Sequence, residues 1–200
     1  MVSVYVEGGG KGAVTRPECR QGFNSYFGRV APHECCPRTV VCGSRNQAFK
    51  RFETAVLNIK RDELCILLVD SEGAVTAGDA VAHLTHRDHW RFPALNGRHR
   101  VFLMVQAMEA WFFADRSALA TFYGTGFRPN ALRGSQNDIE VIPKQDLVSS
   151  LENATLATKT KGPYNKTKHA FKLLALIEPT KVGNASPHAA SLHAFLAQSR

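Results

Sequence analysis

The stretch Leu64-Cys65-Ile66-Leu67-Leu68-Val69-Asp70-Ser71-Glu72-Gly73 decides how the rest of the chain is read. Six apolar residues in a row are too few for a free-standing helix, and they do not alternate with polar ones. They describe a strand covered on both faces, which is the habit of a parallel sheet flanked by helices. The run stops on a carboxylate, and a second acid follows two positions later. The N-terminus repeats the arrangement: Val2-Ser3-Val4-Tyr5-Val6 is β-rich, Glu7 closes it, and Gly8-Gly9-Gly10 follow. Glycines after a strand let the backbone approach a ligand closely, often a phosphate, yet a carboxylate beside phosphate repels it unless a cation lies between.

Outward from these two runs, strands alternate with helical spacing. Phe23, Tyr26, Phe27 and Val30 predict a helix within 13–30, and Arg38-Thr39-Val40-Val41-Cys42 a short strand. Asn46 is placed to cap a helix carrying Phe49, Phe52, Val56 and Leu57 on one face. Residues 73–100 read as a long loop rich in His and Arg with one helical turn. A fourth strand follows at Val101–Val105, then a helix from Met108 to Asp115. Further helices are expected near 145–156, 166–178 and 187–198. The pattern predicts an α/β fold, a mostly parallel sheet flanked by helices. An α/β core over 1–130 carries a helical C-terminal extension over 131–200 packed on it, as one domain overall.

The 200 residues carry 25 Lys and Arg against 17 Asp and Glu, a net charge of +8 that favours a polyanionic partner. No window holds eighteen uninterrupted apolar residues and no basic segment precedes a long apolar one, so a soluble, cytoplasmic protein is expected. The five cysteines have no CxxC spacing, which argues against a disulfide framework or a zinc ribbon.

In an open parallel sheet, ligands bind beyond the carboxyl ends of the strands, where strand order reverses. Glu7, Asp70 and Glu72 can all reach such a crevice, the last two on one side if the strand extends through them. Three carboxylates crowd unfavourably unless neutralised, and Mg²⁺ or Mn²⁺, as one or two ions, is the natural partner of such oxygen ligands. Glu109, directly after the fourth strand, is a further candidate ligand. Asp115 reads as a cap for the helix after it. Opposing cations are sought in Lys159-Thr160-Lys161-Gly162-Pro163-Tyr164-Asn165-Lys166-Thr167-Lys168-His169, where Lys161, Lys166 and His169 are expected to meet phosphate, together with Lys11, Gly8 and Gly9 from the other side. His83, His86 and His89 lack the HExxH pattern of catalytic zinc helices and read as a substrate-contacting loop. The Walker A pattern fails around Gly10-Lys11-Gly12. Gly8, Gly10 and Ala13 satisfy the dinucleotide fingerprint, but Glu7 would stand beside the pyrophosphate.

Val6-Glu7-Gly8 together with Val69-Asp70-Ser71-Glu72-Gly73 resembles the TOPRIM motif pair of topoisomerases, primases and overcoming-lysogenization-defect nucleases. With Met108-Glu109-Ala110-Trp111 through Asp115, Lys166-x-x-His169 and Ala185-Ser186-Pro187-His188, the chain resembles more closely a family of short bacterial TOPRIM-like proteins classed as a domain of unknown function. That resemblance implies a Rossmann-like TOPRIM fold and a metal-dependent nuclease or related phosphotransfer enzyme acting on DNA or RNA. Glu7 would serve as metal ligand or general acid/base, and Asp70 and Glu72 as metal ligands; beside the resemblance, the lysine-rich stretch itself offers Lys161 and Lys166 as catalytic cations. It further implies an ABC-type ATPase partner in an anti-phage defence module. The alternative is a TOPRIM-like module that binds nucleic acid or the ATPase without cutting. Glu72 stands where the general motif carries a second Asp.

Overall fold

The computed structural model describes residues 1–9, 15–31, 36–76, 78–94 and 97–199. Four parallel strands, β1 (Val2–Val6), β2 (Arg38–Val41), β3 (Leu64–Asp70) and β4 (His99–Met104), lie in the order β2-β1-β3-β4. Their registers pair Val6 with both Val41 and Leu68, and Asp70 with Met104. Glu7 and Asp70 therefore leave neighbouring strands at the same end of the sheet. The chain adopts the expected α/β, Rossmann-like fold, and the sheet expected to be mostly parallel is parallel throughout its four strands.

Side-chain alternation divides each strand between two apolar clusters. Val4, Val6, Ile66 and Leu68 join a large cluster with Phe23 and Phe27 of helix α1 (Thr15–Phe27) and much of the later chain. Cys65, Leu67 and Val69 join a smaller one with Phe49 and Phe52 of α2 (Arg45–Leu57) and Leu84 of α3 (Ala80–Asp88). Both faces are buried, which explains the apolar run at 65–69. Because α1 covers one face and α2 and α3 the other, the connections leaving β1 and β3 diverge. The crevice between them is the switch point of the sheet.

Ser44, not Asn46, caps α2. Its side chain accepts from Gln47 N while the Gln47 side chain returns to the Ser44 backbone, a reciprocal capping box. The region read as a loop contains α3, a nine-residue helix that Asp79 caps through Ala82 N at 2.7 Å. After β4 come α4 (Glu109–Ala114) and α5 (Arg116–Tyr123), split at Asp115. Then follow a single 3-10 turn at Pro129–Ala131, α6 (Lys144–Thr155), α7 (Lys166–Leu176), α8 (Pro179–Ala185) and α9 (Pro187–Gln198). Helix α8 was not expected; Pro179 and Pro187 each stand at the start of a helix, where a missing amide costs nothing. Ser186 caps α9 by accepting from Ala189 N at 3.0 Å. No helix among the described residues is long and apolar enough to cross a membrane.

Helix α7 seats against α1 so closely that a Cβ on Gly22 would stand 2.6 Å from the Phe171 carbonyl oxygen. That neighbour is backbone and cannot rotate away. Gly22→Ala is expected to cost about 1–3 kcal/mol, seen as a lower midpoint in urea, despite the better helix propensity of alanine. An unchanged midpoint would show that α7 can slide along α1.

Candidate metal centre

β1 and β3 deliver Glu7 and Asp70 side by side, and a backbone hydrogen bond fixes the pair: Asp70 N donates to Glu7 Oε1 at 2.8 Å. Asp70 is 6% exposed and its Oδ1 accepts from Met108 N at 2.8 Å. Glu72 arrives by a different route from the one the spacing predicted. The strand ends at Asp70, and Glu72 adopts a left-handed backbone (φ 69°) while its N–H donates to the Gln106 carbonyl at 2.8 Å. A turn, and not strand periodicity, brings its carboxylate back over the crevice. One oxygen from each of Glu7, Asp70 and Glu72 lies within 4.8 Å of the others, the only such group of potential metal ligands among the described residues.

Four cations surround these acids, and only one of them was expected. Arg45, at the start of α2, lies 3.7 Å from Glu7 Oε2. Its Nη1 donates to the Asp70 carbonyl at 2.5 Å, and its other nitrogens hold Asp88 at 2.8 and 2.9 Å. Lys144 Nζ is 2.5 Å and Arg87 3.6 Å from Glu72 Oε2. Lys166 Nζ reaches Glu109 Oε1 at 2.8 Å. Glu7, Asp70, Glu72, Lys144 and Lys166 line a cavity of about 230 Å³, closed on its apolar side by Met104, Met108 and Phe171.

The electrostatics follow from burial. Desolvation pushes the Asp70 carboxyl well above its ordinary value, with the charges of Glu7 and Glu109 adding to it. Desolvation also raises Glu7, only partly offset by its hydrogen bond from Asp70 and by Arg45. Burial alone would lower Lys166, yet pairing with Glu109 and the nearby Asp70 and Glu7 carry it upward. Two acids destabilised as anions and one cation stabilised as such describe a pocket short of positive charge.

Several expected site residues stand elsewhere. Glu109 does not join the acid group: it is 1% exposed, and its Oε1 takes Lys166 and the Tyr164 hydroxyl, the latter at 3.2 Å. His169 is buried, with Nδ1 between the Tyr123 hydroxyl at 3.1 Å and Asn165 N at 3.2 Å, so it belongs to the packing of α7. Lys161 is exposed, with its ammonium over the Phe122 ring at 5.0 Å and outside the cavity. Lys11 and Gly10 lie outside the described residues. Gly8 lines the cavity, but the space beside it is filled by the protein: a Cβ there would meet Cys19 Sγ at 3.2 Å and Phe171 at 3.3 Å. At Gly9 the same atom would stand 2.9 Å from Val41 and Arg16 side-chain carbons, and both glycines have positive φ. Chain packing therefore explains these glycines. His83 belongs to α3, where its Nε2 meets the Ser71 carbonyl at 2.9 Å.

A family model described as Domain of unknown function (DUF4276) matches residues 6–197, the span that carries every residue of this site. The chain belongs to that family. No curated protein and no solved structure matches it. In this DUF4276 chain Asp115 is a cap, as its position predicted. It accepts from Ser117 Oγ and Lys181 Nζ at 2.6 Å and from Ala118 and Glu178 amides. Burial works to raise its carboxyl, but these donors outweigh burial and hold it below the ordinary range. Its stabilising contribution is thus complete above the unfolded value of about 3.9 and is lost as pH falls through the lower folded value. Asp115→Ala is expected to cost about 1–3 kcal/mol at neutral pH, and the difference from the parent should narrow in urea melts taken toward pH 3.

Proposed function

We propose that this protein is a Mg²⁺- or Mn²⁺-dependent nuclease or related phosphotransfer enzyme acting on nucleic acid in the cytoplasm. The observation that carries the proposal is the meeting of Glu7, Asp70 and Glu72 within 4.8 Å at the switch point of the sheet. The donor set suits a hard divalent cation, since all three are carboxylates. Bonds of about 2.0–2.1 Å put adjacent ligands about 3 Å and opposite ones about 4 Å apart, a contraction that the rotatable side chains of the two glutamates can supply. Asp70 Oδ2 and Glu72 Oε1 have no hydrogen bond or ion pair among the described residues. The resemblance of Glu7 and of Asp70-Ser71-Glu72 to the TOPRIM motif pair supports the same reading.

A divalent ion held there would activate a water and stabilise charge on a phosphoryl oxygen. The chain itself supplies the rest. Lys166 and Lys144 face the same cavity and can hold phosphate oxygens, Lys166 from a position anchored by Glu109. Met104, Met108 and Phe171 restrict water on the apolar side. Glu7, with its raised affinity for a proton, can accept one from the attacking water.

A second reading, a module that binds nucleic acid or a partner ABC-type ATPase without cutting, is favoured by one observation. Glu72, in the place of the usual Asp, already receives both Lys144 and Arg87 on Oε2. Incubation with supercoiled plasmid and Mn²⁺ separates the two. Nicking that disappears in Asp70→Ala supports the enzyme; plasmid binding without nicking, unaltered in Asp70→Ala, supports the module and removes the first reading.

A further inference from the structure

We infer that the edge of the sheet beside β2 is a second ligand site, one that takes the phosphate group of a nucleotide. A cavity of about 620 Å³ lies there, larger than the one holding the acids. It is lined by Arg20 and Asn24 of α1, Cys36, Arg38 and Thr39 of β2, and Arg51 of α2. A volume of this order accommodates a small organic ligand.

Three features distinguish this place from an ordinary basic surface. First, no carboxylate among the described residues lines it. Arg20, Arg38 and Arg51 form no ion pair with the described residues, and Arg51 Nη1 reaches the Val41 carbonyl at 3.5 Å. Second, the arginines come from three elements and converge around one strand: Arg20 from the helix on one face, Arg51 from the helix on the other, Arg38 from the edge itself. Arginine is the residue whose planar fork best matches phosphate oxygens. Third, the Thr39 hydroxyl is buried at the cavity wall and has no hydrogen-bond partner. Such a group awaits an acceptor, and an oxyanion drawn in by the arginines would supply one.

The site neighbours the acid crevice. Val41 lines this cavity and Gly43 lines the other, two positions further along the chain. Phosphate esters reach it from two sources: a mononucleotide, or the backbone of a nucleic-acid strand passing the end of β2. The inference does not depend on metal binding or cleavage, and it is tested without either.

The full-length protein, in EDTA, is titrated with AMP and separately with a fluorescent 12-nucleotide single-stranded DNA, in the parent, in Arg38→Ala/Arg51→Ala and in Thr39→Val. The double variant is expected to weaken binding at least tenfold and, for the oligonucleotide, to reduce the slope of log K against log salt by about 1–1.5. Thr39→Val is expected to weaken it severalfold at a melting temperature no lower than the parent's, because the substitution removes an unpaired buried hydroxyl. Loss for AMP assigns a mononucleotide site; loss for the oligonucleotide alone assigns the strand backbone. Equal affinities for both probes in the parent and the double variant, with melting temperatures preserved, would overturn the inference. Asp70→Ala is run alongside: if it fails to cut yet keeps its AMP or oligonucleotide affinity, the two sites are separate, and failure of one proposal leaves the other standing.

Discussion

Asp70→Asn is expected to reduce Mn²⁺-dependent cleavage by at least a hundredfold while making the metal-free protein more stable. The side chain is buried, its carboxyl is pushed well up by desolvation and by Glu7 and Glu109, and ionising it in the folded state opposes folding. Asparagine keeps the acceptor for Met108 N and removes that charge. The relief should be on the order of 1–3 kcal/mol, or a melting temperature higher by several degrees at about 2–4 °C per kcal/mol for a chain of this length. The pH dependence follows the same sign. A carboxyl whose folded value lies above its unfolded one contributes stability that is complete below the unfolded value and lost as pH rises through the folded value. The metal-free parent should therefore lose stability as pH rises above the ordinary carboxylate range, Asp70→Asn should lose less, and Mn²⁺ should restore the parent alone. A destabilised Asp70→Asn that still binds Mn²⁺ would mean that this carboxylate is structural.

Lys166→Met should have the opposite effect on stability. Glu109 is almost wholly buried, and Lys166 is its one ion-pair partner among the described residues. Without that ammonium the carboxylate keeps only the Tyr164 hydroxyl, in a wall it shares with Asp70. Glu109 is buried but the Lys166 side chain is 59% exposed, so solvent screens the pair and its loss should cost about 1–3 kcal/mol, less than for a fully buried pair, and cleavage should fall with it because the cavity loses a phosphate contact. The double variant Lys166→Met/Glu109→Gln separates the two roles: chemical denaturation should show most of the stability regained, while plasmid nicking should remain absent. Nicking restored in the double variant would show that Lys166 serves only to neutralise Glu109.

The sheet was readable because its physics is local. Consecutive apolar residues at 65–69 are what a doubly covered strand requires, and an acid at its end stands out against them. The cations were a different matter. Arg45, Arg87 and Lys144 each reach an acid distant in the chain, and a lone basic residue on a helix start or a short helix carries no mark of what it will face. His169 illustrates the converse. Read with its lysine neighbours it looks like a phosphate ligand, but with Ala170, Leu173 and Leu174 it completes the buried stripe of α7. Helix α3 escaped notice because nine residues offer too little periodicity, although Asp79 three residues before Ala82 marks its start. Glu72 was placed correctly for the wrong reason, since a left-handed residue does what an extended strand was expected to do.

Glu7, Asp70 and Glu72 all precede residue 73, whereas Lys144 and Lys166 come from helices that begin after residue 140. A ribosome consequently releases the negative side of the pocket long before the lysines that balance it. Until α6 and α7 have formed, Arg45 and Arg87 are the cations at hand to offset Glu7 and Glu72, so the pocket is completed only when the helices that carry Lys144 and Lys166 have settled on the sheet.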